Sequence, residues 1–258
     1  MFKKILITIG IIILFAIISA YFVYADKLAA EGEKKMVCKD IKVVILDSLS
    51  TRFVKKDEVL EMIEKNCPVI GINISEINTF NIEKLLNAKS AISNSQAYVK
   101  LPDLLVVEVT QRKPIIRIQN YDCGYYVDNS GYIFGLLDSF SSYVPIITGN
   151  IPLEFERNFR GYPVDEDKKW IESALNLVRY IENDTFWSKQ IEQIYIEKNG
   201  DIILSPKIGE QKIIFGNFYD IDEKFKKLSA FYNNIIPEAG WKRYTSVNIK
   251  YKNQIICK

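Results

Sequence analysis

The chain has 258 residues, 48% hydrophobic and 26% charged, with 34 Lys+Arg against 32 Asp+Glu. That mix excludes wholesale disorder, and a net charge of +2 lacks the basic excess of most nucleic-acid binders, so no nucleic acid is expected as a partner. The histidine count is 0, which removes Ser-His-Asp and Cys-His relays, His-ligated zinc and an imidazole proton switch. Carboxylate-pair, Ser/Lys and oxygen-ligand chemistry stay formally open.

From Ile5 to Ala25 the chain carries no charge. As a helix, roughly 20 such residues reach ~30 Å, the depth of a bilayer's hydrocarbon. Tyr21, Phe22 and Tyr24 stand at one end, where interfacial aromatics belong, and Lys3 and Lys4 at the other. Val23-Tyr24-Ala25 resembles a signal-peptide cleavage site, but the apolar run exceeds a signal core of ~7–15 residues, so an uncleaved membrane-spanning helix is expected. Residues 1–4 then form a short tail, and the polar residues 26–37 form a linker. Lys27, Lys34 and Lys35 on the far side keep a simple charge count from fixing the orientation. Cys38, Cys67, Cys123 and Cys257 show no C-x-x-C spacing, so no metal is expected. Whether they pair or are simply small buried apolar residues stays open.

Beyond the linker, Ile41–Leu46 reads as a buried strand by its β-branched content. Asp57–Asn66 has Val59, Leu60 and Ile63 at helical spacing and acids in its first turn. Ser75–Ala88 repeats the helical signal with Ile77, Ile82, Leu85 and Leu86. Strands follow at Gln96–Leu101 and Leu104–Gln111, parted by the turn pair Pro102-Asp103. This is a β-α-α-β-β order over residues 38–111.

Residues 112–258 read as a larger mixed β domain with flanking helices, giving an α+β chain as a whole. Cys123–Asp128 and Tyr132–Phe134 flank Asn129-Ser130-Gly131, and Ile191–Glu197 and Ile202–Leu204 flank Asn199-Gly200, both hairpin signals. Helical spacing returns over Asp165–Ile181 and between Asp222 and Ile236. After Gly240 the pattern predicts strands at Thr245–Tyr251 and Gln254–Cys257, with Lys252-Asn253 at the turn. Val247, Ile249 and Tyr251 alternate with Ser246, Asn248 and Lys250, so one face suits a core and the other water or a partner.

Several separated motifs carry a resemblance. Phe53-Val54-Lys55-Lys56-Asp57-Glu58-Val59 followed by Gly71-Ile72-Asn73-Ile74, Ile82-Glu83-Lys84-Leu85-Leu86, Ala97-Tyr98-Val99-Lys100 and Leu104–Val109 look like a POTRA domain. Gln111-Arg112-Lys113-Pro114 stands where a hinge would, Tyr126–Phe134 resembles the first hairpin of the following β domain, and Val247-Asn248-Ile249-Lys250-Tyr251 resembles its terminal strand. Together they resemble the bacterial division family FtsQ, called DivIB in other lineages. The aromatic stretches Asn183–Trp187, Gln190–Tyr195 and Phe231-Tyr232 before Trp241 are similar to its Bacteroidetes-type branch.

The resemblance implies a non-enzymatic, cofactor-free scaffold of the division machinery. It would be anchored once in the inner membrane at the division septum, N-terminus cytoplasmic and domains periplasmic. It would link early and late division proteins, contacting some through the POTRA domain and binding an FtsB-like and FtsL-like pair through its C-terminal β edge. Carried over by position, that edge is Tyr251, Asn253, Gln254, Ile255, Ile256 and Cys257, where a partner could add as a further strand. The plainer reading of each side chain is sheet closure. Two alternatives differ in class: a POTRA-containing secretion or outer-membrane assembly factor, and a membrane-anchored cell-wall hydrolase using Asp128 or the acids Asp165-Glu166-Asp167. Those acids open a helix and Asp128 sits at a turn, where such residues are ordinary.

Overall fold

The computed structural model describes residues 13–27, 36–48, 51–120, 123–137, 140–156 and 159–258. Residues 13–27 form helix α1, which exposes Ile13, Leu14, Phe15, Ile17, Ile18, Tyr21, Phe22, Val23 and Tyr24. Residues 5–12 of the expected membrane span, the tail 1–4 and linker residues 28–35 lie outside the described residues. Among the described residues no helix is long and apolar enough to cross a membrane.

The remaining chain divides into two compact units. One takes Val54–Gln111 together with the residues up to Ser48, the other Leu49–Phe53 and Arg112–Lys258. In the first, strand β1 (Asp40–Ile45) is followed by helix α2 (Lys56–Asn66), helix α3 (Thr79–Asn87) and strands β2 (Ile92–Lys100) and β3 (Leu104–Gln111). The sheet order is β1-β3-β2, with β3 parallel to β1 and antiparallel to β2. Central β3 buries Leu105, Val106, Val107 and Val109, the near-continuous apolar run of a strand covered by neighbours. Val59 and Ile63 of α2 and Ile82 and Leu86 of α3 are buried on the same unit.

The helix expected over Ser75–Ala88 is broken in two. The Asn73 carboxamide oxygen accepts from Ser75 N at 3.0 Å and starts a 3-10 turn, Ile74–Glu76. Five residues on, Asn78 accepts from Asn81 N at 3.0 Å and starts α3. Two capping residues so close each end one turn and begin another.

The second unit holds β4 (Pro114–Gln119), β5 (Gly124–Asp128), β6 (Ile133–Gly135), β7 (Ile146–Gly149), α4 (Asp165–Asn183), α5 (Trp187–Gln190), β8 (Ile191–Ile196), β9 (Ile202–Pro206), β10 (Lys212–Gly216), α6 (Ile221–Ala230), α7 (Ile236–Ala239), β11 (Ser246–Asn248) and β12 (Ile256–Cys257). A π-turn, Phe231–Ile235, joins α6 to α7 and splits the helix expected between Asp222 and Ile236. All the strands lie in one sheet, ordered β12-β11-β10-β9-β8-β7-β4-β5-β6. Ile171, Leu175, Val178 and Ile181 of α4 and Phe225 and Leu228 of α6 share one core with Ile116, Ile147, Ile194, Leu204, Ile213 and Val247 from the sheet.

At the β5–β6 hairpin the Asp128 carboxylate accepts from Ser130 N, Ser130 Oγ, Tyr132 N and Arg112 Nη1 at 2.6–3.1 Å. The Arg112 guanidinium lies 3.5 Å over the Tyr132 ring. Asp128 is thus occupied in shaping the turn. Phe53, a member of this second unit, packs against Tyr126, Phe134 and Phe140.

Lys224 of α6 is 3% exposed, its ammonium donating to both the carbonyl and the side-chain oxygen of Asn217 at 2.7 Å and lying 4.7 Å from the Phe215 ring centre. Burial pushes its pKa down to about 8, against the opposing pull of Asp220. Below that pH both folded and unfolded chains carry the proton and the cost of burying it is present in full. Between about 8 and the ordinary lysine value of ~10.4 the unfolded chain binds more protons, so stability contributed by this group rises with pH. All three tryptophans, Trp170, Trp187 and Trp241, lie in this unit. The urea midpoint followed by tryptophan fluorescence should therefore gain from pH 8 to 10 an increment that Lys224→Met lacks; equal increments in both proteins would contradict the assignment.

Candidate partner-binding edge

Strand β12 ends the sheet, and its register decides what it offers. It pairs antiparallel with β11, Val247 opposite Cys257 and Asn248 opposite Ile256. Ser246 and Lys258 exchange both backbone bonds, Lys258 N to Ser246 O at 3.0 Å and Ser246 N to Lys258 O at 3.1 Å. In an antiparallel ladder the bonded and non-bonded pairs alternate, so the N–H and C=O of Cys257 face away from β11. Among the described residues no strand lies beyond them. At the opposite end of the sheet, Ile133 of β6 exchanges bonds of 2.8 and 3.0 Å with Gly161, which covers part of that edge.

The six residues expected at the edge fall into two groups. Ile256 and Cys257 form the strand, with Ile256 38% exposed and Cys257 and Ile255 packed partly against the core. Tyr251, Asn253 and Gln254 lie in the connection from β11, where Tyr251 is 48% exposed and Asn253 takes the left-handed φ of 55°. The long strands expected at Thr245–Tyr251 and Gln254–Cys257 contract to three residues and two. Three side-chain bonds explain the contraction. Asn248 Oδ1 accepts from Lys250 N at 3.0 Å, and the ammonium of Lys227, from α6, donates to Ile249 O at 2.8 Å and to Tyr251 O. Backbone groups that would continue the ladder are thereby taken by side chains.

The lysines along this side are unevenly matched. Lys250 Nζ meets both Asp201 oxygens at 2.8 and 2.9 Å, Lys252 lies 3.9 Å from Asp220, and Lys212 pairs with Glu197 at 2.7 Å. Lys242, Arg243 and Lys258 belong to no ion pair among the described residues.

Beside the end of β12 lies a groove of about 290 Å³, lined by Ile208, Gly209, Glu210, Trp241, Lys242, Tyr244 and Thr245. Thr245 N and Oγ1 both donate to Lys258 O, at 2.6 and 3.1 Å, which ties the groove wall to the strand end. Gln211 supports the floor by donating to Trp241 O. Gly209 has φ 99°, and a Cβ there would lie 3.3 Å from Trp241 Cε3 and collide with the Gln211 amide. Nothing in the sequence announced this groove, because its walls come from the β9–β10 connection and the segment before β11.

Two of the acids weighed for hydrolysis have structural partners. Glu166 is engaged by Lys169 at 2.7 Å in the first turn of α4, and Asp128 is consumed by its hairpin. A cavity of about 530 Å³ is lined, among the described residues, by Ile118, Asn120, Cys123, Tyr125, Ile151, Leu153, Glu154 and Phe155.

Two family models match the chain. Residues 36–110 match a POTRA-like domain, and residues 113–258 match the family described as FtsQ/DivIB, C-terminal related. No curated protein matches it.

Replacing Lys227 by Met should free the carbonyls of Ile249 and Tyr251 and loosen the β11–β12 connection. Bonds to a charged donor contribute about 1.5–3 kcal/mol each, so amide exchange at Ile249 and Lys258 should quicken by about tenfold or more. Unchanged exchange at both amides would show that Lys227 does not shape the edge.

Proposed function

The chain belongs to the family described as FtsQ/DivIB, C-terminal related, and from that premise we propose that it links early and late proteins of the division machinery by binding an FtsB-like and FtsL-like pair along β12. A division scaffold with a POTRA-like domain is what the two matched segments together suggest. The family is generally non-enzymatic, in keeping with acids that are committed to turns and helix starts.

The outward backbone of Cys257 at the end of the sheet is the observation that carries the reading. An unpaired N–H and C=O invite a partner strand, which gains main-chain bonds from the edge and selectivity from alternate side chains. Ile256 is the exposed side chain on the strand itself, and Tyr251 flanks it from the connection. A single N-terminal anchor is part of the same proposal. Helix α1 exposes large apolar side chains, which suits a lipid surrounding better than water. Placement at the septum, with both domains periplasmic, follows from the family resemblance.

The size of the edge limits what it can supply. Two or three main-chain bonds at about 0.5–1.5 kcal/mol each give about 1–4 kcal/mol, against ~8 kcal/mol for a micromolar complex. Side-chain contacts must provide the remainder.

The edge can be tested with one point variant and one truncation. Cys257→Pro removes an outward N–H but no bond to β11. It should weaken pulldown of the FtsB-like and FtsL-like pair by the full chain by about two- to tenfold, and deletion of residues 254–258 should abolish it, both leaving the membrane location unchanged. Pulldown at the wild-type level from both variants would exclude strand addition at β12.

A further inference from the structure

We propose that the partner strand on β12 runs on past Lys258 and seats a bulky apolar side chain in the Ile208–Trp241–Tyr244 groove, with an acidic residue beside it facing Lys242 and Arg243. The inference rests on the strand-addition reading and adds the chemistry of the partner to it.

Three observations converge on that occupant. The groove is continuous with the edge, since Lys258 O is bound by both the amide and the hydroxyl of Thr245 in the groove wall. Its apolar surface is open, with Ile208 62% exposed and Trp241 45% exposed. An exposed Trp beside a pocket is the residue type that most often dominates binding once a partner has excluded water around it. Charge supplies the third. The lysines farther along the edge are matched by Asp201, Asp220 and Glu197, whereas Lys242 in the groove wall and its chain neighbour Arg243 belong to no ion pair among the described residues. Glu210 is the one acidic residue lining the groove. Unmatched cations around an apolar pocket favour a partner that brings its own carboxylate, which would speed encounter and fix register more than it raises affinity.

The short strand gives the groove its importance. Two or three backbone bonds orient a partner but hold it weakly, and β12 itself presents one outward side chain, Ile256. A surface able to supply an anchor lies at the strand's end.

The test uses the full chain in detergent micelles, with the FtsB-like and FtsL-like pair of the same cell as the probe, and biosensor affinities at low and high salt. The double variant Ile208→Ser/Trp241→Ala should weaken binding by about tenfold or more at both salt levels. Lys242→Glu/Arg243→Glu should weaken it chiefly at low salt. Cys257→Pro should weaken it by about two- to tenfold at both salt levels. Since Trp241 is the most exposed of the three tryptophans, acrylamide quenching of the wild-type chain should fall when the pair is added. If Cys257→Pro weakens binding while both groove variants bind like the wild type and quenching is unchanged, the groove inference is overturned and strand addition stands. If the groove variants weaken binding and Cys257→Pro does not, strand addition fails and the groove is a partner site in its own right. Wild-type binding by all three variants overturns both.

Discussion

The reciprocal pair of backbone bonds between Ser246 and Lys258 is the contact on which the functional surface depends. It fixes the parity of the β11–β12 ladder, and parity decides which amides face inward. A slip by one residue would turn the Cys257 groups toward β11 and expose those of Ile256 instead, while sending Ile255 and Cys257 away from the core they help to cover. Apolar packing of those two side chains and the outward direction of one peptide unit are therefore two aspects of one register.

Helix α6 governs the same region from behind. Its inner face delivers Phe225 and Leu228 to the core, and two of its lysines reach past the sheet to backbone oxygens. Lys224 secures the turn at Asn217 after β10, and Lys227 secures the exit from β11. Both replace ladder bonds by charged side-chain bonds, so the sheet stops growing where the helix takes hold of it. The brevity of β11 and β12 thus has a cause in the neighbouring helix as well as in the strand sequence.

Much of this fold is legible in the sequence, for identifiable reasons. Asn199-Gly200 and Asn129-Ser130-Gly131 mark hairpins because turn chemistry is local, and α4 is visible because its apolar residues recur on one face. β4, β7 and β10 escape notice. Pro114 opens β4, Pro145 precedes the four residues of β7, and β10 lies between two Gly-containing turns, so none shows a clean alternation long enough to read. The turn of π geometry at Phe231–Ile235 leaves no trace in residue spacing. At the candidate site, the alternation in Val247–Tyr251 marks a strand with one core-facing side, while the choice of edge residues comes from the family resemblance. The reach of Lys227 across 22 residues to Ile249, and the meeting of Ile208 with Trp241, are products of tertiary packing that no local pattern encodes.

The parallel pairing of β11 with β10 has a consequence for assembly order. Lys212 lies opposite Ser246, with α6, the π-turn and α7 between them, so this contact closes a long loop and forms late relative to the hairpin of β8 and β9. β12 in turn needs β11 in place. The docking surface comes into being only after the sheet beneath it is complete, and recognition of it by another protein would double as an inspection that the domain has finished folding.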